Sequence, residues 1–196
     1  MMACAIYVDP RIAPKLIEFG VRDSKAFSDS KKTTAHQKRL VIANLIMENA
    51  EFGLGLATPQ EIDDTNSLEA NFLAIRRAVL ALEDKLGVQA DRVVVDGALK
   101  VRGLNRPQTM VTKGDFKFVQ IAAASVIAKV VRDSEMLLLH EQYPWYGWDR
   151  NKGYGGVDKN GYSAHTEGMR EHGVIEGIHR LSFGDVSRFK RVKVAA

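Results

Sequence analysis

The sequence predicts an α/β fold, and three observations carry that reading. Short apolar runs of strand length alternate with longer segments of helical periodicity, the pattern of a layered α/β protein. Thr58-Pro59-Gln60-Glu61 is a capping box with proline at the first helical position, a specific helix start. Two apolar runs each stop at a carboxylate, Val93-Val94-Val95 at Asp96-Gly97 and Gln108-Thr109-Met110-Val111 at Lys113-Gly114-Asp115.

Taken in order, residues 1–8 are apolar almost throughout and predict a buried strand, with Cys4 as a small core residue. Residues 11–20, bracketed by Pro10 and Pro14, predict a loop or short helix. Ser28 or Ser30 is placed to cap a helix running to about Met47, with Leu40, Val41, Leu45 and Ile46 on one face. Phe52, Leu54 and Leu56 alternate with Gly53 and Gly55, a strand whose bare positions let another backbone come close. From Leu68 the apolar residues recur at Phe72, Ile75, Val79, Leu82 and Leu86, and Gly87 supplies the stop.

After the two carboxylate-ended strands comes a small-and-aliphatic helix, from Ile121-Ala122-Ala123-Ala124-Ser125 through Lys129 to Arg132-Asp133, which Pro144 must end. An aromatic cluster, Tyr143, Trp145, Tyr146 and Trp148, precedes Lys152-Gly153-Tyr154-Gly155, and Ser163 is placed to cap a short helix to His172. Residues 188–193 are basic.

Composition bounds the function. A chain of 196 residues with 45% hydrophobic content holds one substantial core. The formal charge of +4 and pI near 9.2 lean towards a polyanionic partner. A single cysteine excludes a disulfide framework within the chain and suits a reducing compartment. No uncharged apolar stretch approaches a membrane span, and the N-terminus lacks a signal-peptide pattern. The expectation is a cytoplasmic, monomeric globular protein without a membrane partner.

Taken alone, the carboxylates have ordinary readings beside the chemical one. Asp96-Gly97 is a common turn pair, Asp115 is a common helix cap, and Asp133 reads as solvated or salt-bridged. The aromatic cluster reads as a hydrophobic lid, and the five histidines show no metal-ligand spacing. The chemical reading is that two carboxylates at neighbouring strand exits share a hard cation such as magnesium.

Longer motifs go further. Val21-Arg22-Asp23-Ser24-Lys25, Glu61-Ile62-Asp63 with Asn66, Val95-Asp96-Gly97, Lys113-Gly114-Asp115, the helix ending at Arg132-Asp133, Lys152-Gly153-Tyr154-Gly155, and Ile178-His179-Arg180 with Ser182-Phe183 occur in one order along the chain. On these the sequence resembles the ribonuclease HII family, the type 2 ribonucleases H. The resemblance implies a ribonuclease H-like mixed sheet flanked by helices over residues 1–186, with a basic C-terminal tail at 187–196. It implies an endoribonuclease that cuts the RNA strand of RNA–DNA hybrids and nicks duplex DNA 5′ of an embedded ribonucleotide, using two Mg2+ or Mn2+ ions.

Residue by residue, the resemblance assigns Asp96 and Asp115 to the third and fourth carboxylates of an Asp-Glu-Asp-Asp metal site. Asp133 matches a family aspartate outside that four. Tyr154 matches a tyrosine that stacks on the sugar at the RNA–DNA junction, and Lys25, Lys152 and Gly153 are expected near the nucleic-acid backbone. The chain departs from the family at two places. It starts after the strand carrying the Asp-Glu-Ala-Gly-Arg-Gly motif, so the first two metal ligands and the ribonucleotide-sensing loop are expected to be missing, and with them a strand of the sheet. Residues 157–162 are an additional segment. The alternative is therefore a non-catalytic nucleic-acid-binding relative, or a partial subunit completed by another polypeptide.

Overall fold

A computed structural model describes residues 1–21, 32–156 and 163–193, in two compact units. The first unit comprises residues 1–57 and 68–130, and the second residues 58–67 and 131–196. The expected caps at Ser28 and Ser30, together with Lys25 and the segment 157–162, lie outside the described residues.

In the first unit, β1 (Met2–Tyr7) pairs antiparallel with β2 (Glu51–Leu56), from Met2 opposite Leu56 to Tyr7 opposite Glu51. Between them run the short α1 (Ala13–Glu18) and the longer α2 (Lys32–Asn49). The buried face of α2 is built on Ala43 and Ile46, whereas Val41 is 69% exposed. Val41 stands two residues from Ala43, so helical geometry turns it away from that face, correcting its expected place.

The helix α4 (Ser67–Leu86) lies against β2 at the two glycines. A Cβ on Gly55 would stand 2.0 Å from the Ala74 carbonyl oxygen and 2.4 Å from the Ala78 nitrogen. One on Gly53 would stand 2.4 Å from the Ala78 carbonyl oxygen. The bare strand positions thus face helix backbone, and Ala70, Ala74 and Ala78 are the buried counterparts on α4. Beside this contact Phe72 and Val79 of α4 pack with Val95, Val101 and Leu104, and Ala5, Ile75 and Val93 adjoin them.

Strands β3 (Val93–Asp96) and β4 (Gln108–Val111) pair in parallel, with Asp96 opposite Val111. Their connection is folded by the Gln108 amide. It accepts from the Val101 N–H at 2.8 Å and donates to the carbonyls of Val101 and Leu104 at 3.0 and 3.1 Å. Glu83 clamps the end of the same loop through a two-pronged ion pair with Arg106, at 2.8 and 2.9 Å, and accepts the Ala90 N–H.

Among the described residues β1 is hydrogen-bonded to β2 alone and β3 to β4 alone. Both strands are less buried than expected. Residues Met2 to Ile6 are half-buried, and in β3 only Val95 is buried while Val94 is 41% exposed. In β3 burial alternates along the strand, whereas β1 shows no such alternation. Burial nevertheless pushes the Cys4 thiol up to about 12.

The long helix α5 (Val119–Gln142) opens in the first unit with Ile121, Ala122, Ala123, Val126, Ile127 and Val130 buried. Its second half belongs to the second unit. There two of the four aromatics are core, which corrects the expected lid at those positions: Tyr146 is fully buried and Trp148, in α6 (Trp148–Asn151), is 1% exposed, while Trp145 is 42% exposed. The Tyr146 and Trp148 rings stack at 4.6 Å, and Met169 of α7 (Ala164–His172), Val174 and Ile175 complete the cluster. The proposed caps are formed: Thr58 and Glu61 close the capping box of α3 (Pro59–Asp64), and Ser163 accepts the Thr166 N–H. β5 (Val174–Ile175) pairs in parallel with β6 (Arg191–Val192), so part of the basic segment is ordered against the aromatic core. No helix among the described residues is long and apolar enough to cross a membrane.

Beside this core His165 Nε2 stands 3.4 Å from His179 Nε2. The Ile175 N–H donates to His179 Nδ1 at 3.0 Å, which puts the hydrogen of neutral His179 on Nε2, facing His165. Burial, reinforced by the charge of His165, depresses His179 to about 4, and burial lowers His165 as well.

Two outcomes follow from this packing. Gly55→Ala drives a methyl into helix backbone and should destabilise the fold by about 3 kcal/mol in urea unfolding, while Gly155→Ala, whose Cβ meets nothing within 4 Å, should be near neutral. A neutral Gly55→Ala would contradict the close approach. For the histidine pair the unfolded chain binds a proton that the folded chain refuses, so stability should fall as pH drops from 6.5 to about 4. Thermal denaturation across that window checks it, and a flat Tm would contradict it.

Candidate active site

The two aspartates singled out in the sequence meet in the first unit. Asp96 is the last residue of β3 and is exposed, and Gly97 after it turns with φ 108°. Two residues past β4, Lys113 takes the left-handed conformation at φ 54° and directs the chain into a 3-10 turn over Gly114–Phe116. That turn brings the Gly114 N–H to 2.9 Å from Asp96 Oδ1, so Asp115 follows directly on the residue that binds Asp96. Gly114 has no room for a side chain, since a Cβ would stand 2.4 Å from Ile121 Cδ1 and 3.2 Å from Asp96 Oδ1.

Asp115 is half-buried and caps nothing, because α5 begins four residues later at Val119. It lines a recess of about 220 Å³ with Ile17, Val21, Phe116, Lys117, Phe118 and Val119. Neither Asp96 nor Asp115 forms an ion pair among the described residues. Two carboxylates without compensating cations, presenting oxygen donors only, fit a hard divalent ion. Among the described residues no group of three or more His, Cys, Asp or Glu side chains is gathered for metal binding.

The second set of expected residues comes together in the second unit. Lys152 and Gly153 are both left-handed, at φ 50° and 77°, and form a tight turn after α6. Asn151 holds it, its side chain accepting the Gly153 N–H at 2.7 Å and donating to the Tyr146 carbonyl at 2.8 Å. Lys152 Nζ donates to the Asp149 carbonyl at 2.6 Å, and the Tyr154 ring beyond is 58% exposed.

Asp133 is 2% exposed and lies 3.6 Å from Arg132 Nη1, so it is buried and ion-paired rather than solvated. Two roles were not read from the sequence. Asp63, at the end of α3, accepts from the N–H groups of Leu181 and Ser182 at 2.7 and 3.0 Å and from the Ser182 hydroxyl at 2.6 Å. Burial works against the charge of Asp63, but these donors and the Arg180 charge outweigh it and hold its pKa below the ordinary value. The other is Arg132, whose guanidinium carbon lies 4.6 Å from the Tyr154 ring centroid. The recurrence of Asp63 and Ser182 within the two motifs was the available signal for the first; nothing local signals the second.

Comparison with known proteins identifies the family. The profile of the family described as Ribonuclease HII matches residues 1–186. Ribonuclease HII of Fusobacterium nucleatum is 42% identical over 156 residues, covering 80% of this chain and 69% of that protein. That of Dechloromonas aromatica is 41% identical over 189 residues, covering 96% and 85%. Among solved structures, the ribonuclease H2 of Pyrococcus horikoshii superposes with a TM-score of 0.68 at 19% identity, covering 96% of both chains. Bst-RNase HIII in complex with Mn2+ superposes at 0.72 with 20% identity, covering 95% of this chain and 63% of that one. These structures share the ribonuclease H fold, and the sequence matches place the chain in one family: it belongs to the ribonuclease HII family of nucleases.

Proposed function

We propose that the chain hydrolyses the RNA strand of RNA–DNA hybrids and nicks duplex DNA on the 5′ side of an embedded ribonucleotide, with Asp96 and Asp115 as ligands of two divalent ions, Mg2+ or Mn2+. The observation that supports this best is a pair of carboxylates without an ion pair among the described residues, Asp96 held by the Gly114 N–H and Asp115 next in sequence, at adjacent parallel-strand exits of a ribonuclease HII chain. A manganese-bound RNase HIII among the structural neighbours is consistent with that metal chemistry.

The ions supply a lowered pKa for the attacking water and charge stabilisation at the leaving 3′-oxygen. Asp96 contributes a carboxylate whose orientation is set by the Gly114 N–H, and Asp115 a second one on a short turn stiffened by packing against Ile121. Two carboxylates offset only part of the charge of two divalent ions, and substrate phosphate oxygens would add to it.

The turn at Lys152, Gly153 and Tyr154 contacts the duplex beside the ribonucleotide, with the exposed Tyr154 ring against the sugar. Lys25 and Lys152 then meet phosphates, which positions the duplex without reading sequence. The 2′-hydroxyl is the only group that marks a ribonucleotide within DNA, so the sugar is where selectivity must arise. Residues 1–186 act as one nuclease domain in this reading, with the basic residues beyond it adding phosphate contacts.

Cleavage of a DNA duplex holding one ribonucleotide, with Mg2+ or Mn2+, tests the proposal. Asp96→Asn and Asp115→Asn should each lower kcat by at least about 100-fold, the loss expected when a charge-stabilising group leaves an active site. Turnover retained in either variant would overturn the assignment. Tyr154→Ala should lower kcat/KM about 10-fold on that substrate, within the range of a stacking contact, and less on a continuous hybrid. Equal losses on both would contradict its role. Tight, metal-independent hybrid binding with no cleavage by the unaltered chain would favour the non-catalytic alternative.

A further inference from the structure

Arg132 and Met136 stand one helical turn apart on α5, and both meet the turn that carries Tyr154. Arg132 Nη2 donates to the Lys152 carbonyl at 2.9 Å. The Met136 methyl lies where a Cβ on Gly153 would come within 3.0 Å, and residue 153 takes φ 77°, so glycine there suits both the turn and its approach to the helix. The guanidinium lies over the Tyr154 ring, 4.6 Å from its centroid, while the ring remains 58% exposed. Behind it, Arg132 Nη1 faces the buried Asp133 carboxylate at 3.6 Å.

A guanidinium in this position does three things. It fixes a turn of two consecutive left-handed residues through the Lys152 carbonyl. Its planar face holds the ring in one orientation by cation–π attraction. It also leaves the ring's exposed surface towards solvent, so that a sugar can be received there without first ordering the side chain. Lysine would keep the charge and lose the flat fork.

We propose that Arg132 is a positioning residue for ribonucleotide recognition: its cation–π contact pre-orders the Tyr154 ring, whose exposed surface then meets the nucleotide sugar. The proposal rests on the reading that Tyr154 stacks on the sugar beside a ribonucleotide. A purely structural role for Arg132 would instead lower stability, or weaken binding to every duplex alike.

The test is fluorescence anisotropy with the full chain, without divalent ions, on a DNA duplex holding one ribonucleotide and on the all-DNA duplex of the same sequence. The ratio of the two Kd values reads discrimination. Arg132→Ala should reduce that ratio about 3- to 10-fold, the range a cation–π contact supports, and the double variant with Tyr154→Ala should lose no more than Tyr154→Ala alone. Arg132→Lys should recover part of the ratio. Losses that add in the double variant, or equal weakening on both duplexes, would overturn the proposal. A ratio unchanged in Tyr154→Ala would overturn the sugar-stacking reading itself, and this inference with it.

Fluorine NMR separates the two failures without nucleic acid. The chain has five tyrosines, so the 3-fluorotyrosine signal of Tyr154 is assigned by its loss in Tyr154→Phe. It should move in both Arg132 variants, and a signal unmoved in either, with circular dichroism unchanged, would overturn the contact.

Discussion

The candidate active site depends on one hydrogen bond, from the backbone N–H of Gly114 to the side chain of Asp96. It is possible because β3 and β4 run parallel with Asp96 opposite Val111, so both chains leave their strands at the same end. Parallel neighbours need a connection that crosses back, and here that connection is a loop without a helix, folded around the Gln108 amide and clamped by Glu83 and Arg106. Lys113 then accepts a left-handed conformation, and the absence of a side chain at residue 114 lets Ile121 and Asp96 close in from two sides. Register, loop closure and one glycine together place Asp115 beside Asp96. A charged pair at that position is chemically available because no neighbouring cation neutralises it among the described residues.

The second unit solves a different problem. Its core is aromatic, with Tyr146 and Trp148 stacked and His165 and His179 held neutral against them. Asn151 connects that core to the Lys152–Gly153 turn through the Tyr146 carbonyl, and Arg132 connects the turn to α5. Asp63 anchors the Leu181–Ser182 backbone with three hydrogen bonds to one carboxylate. An exposed tyrosine thus follows a turn tied both to the aromatic core and to α5. That is the condition for a stacking residue to select a substrate instead of adapting to any surface.

Much of this was legible in the sequence because local rules decide it. The capping box at Thr58, the Ser163 cap, the halt of α4 before Gly87 and the bare positions of β2 depend on a few neighbouring residues. The aspartates were visible as strand exits, and the motif order identified the family. What was not legible depends on partners far along the chain. Val41 was placed on the wrong side of α2 because apolar character alone does not say which face meets the core. Tyr146 and Trp148 read as a lid because the residues that bury them, Met169, Val174 and Ile175, lie more than a helix away. Asp133 was left open between solvated and salt-bridged because an aspartate's burial depends on tertiary packing, and the contact of Arg132 with Tyr154 joins residues 22 positions apart with no periodic signal.

The proposed chemistry rests on Asp96 and Asp115 holding divalent ions together. Electron paramagnetic resonance of Mn2+ titrated into the unaltered chain tests it directly, free of substrate and turnover. The account predicts protein-bound Mn2+ that is lost in Asp96→Asn and again in Asp115→Asn, with circular dichroism unchanged in both. Binding that persists undiminished in both variants would contradict it.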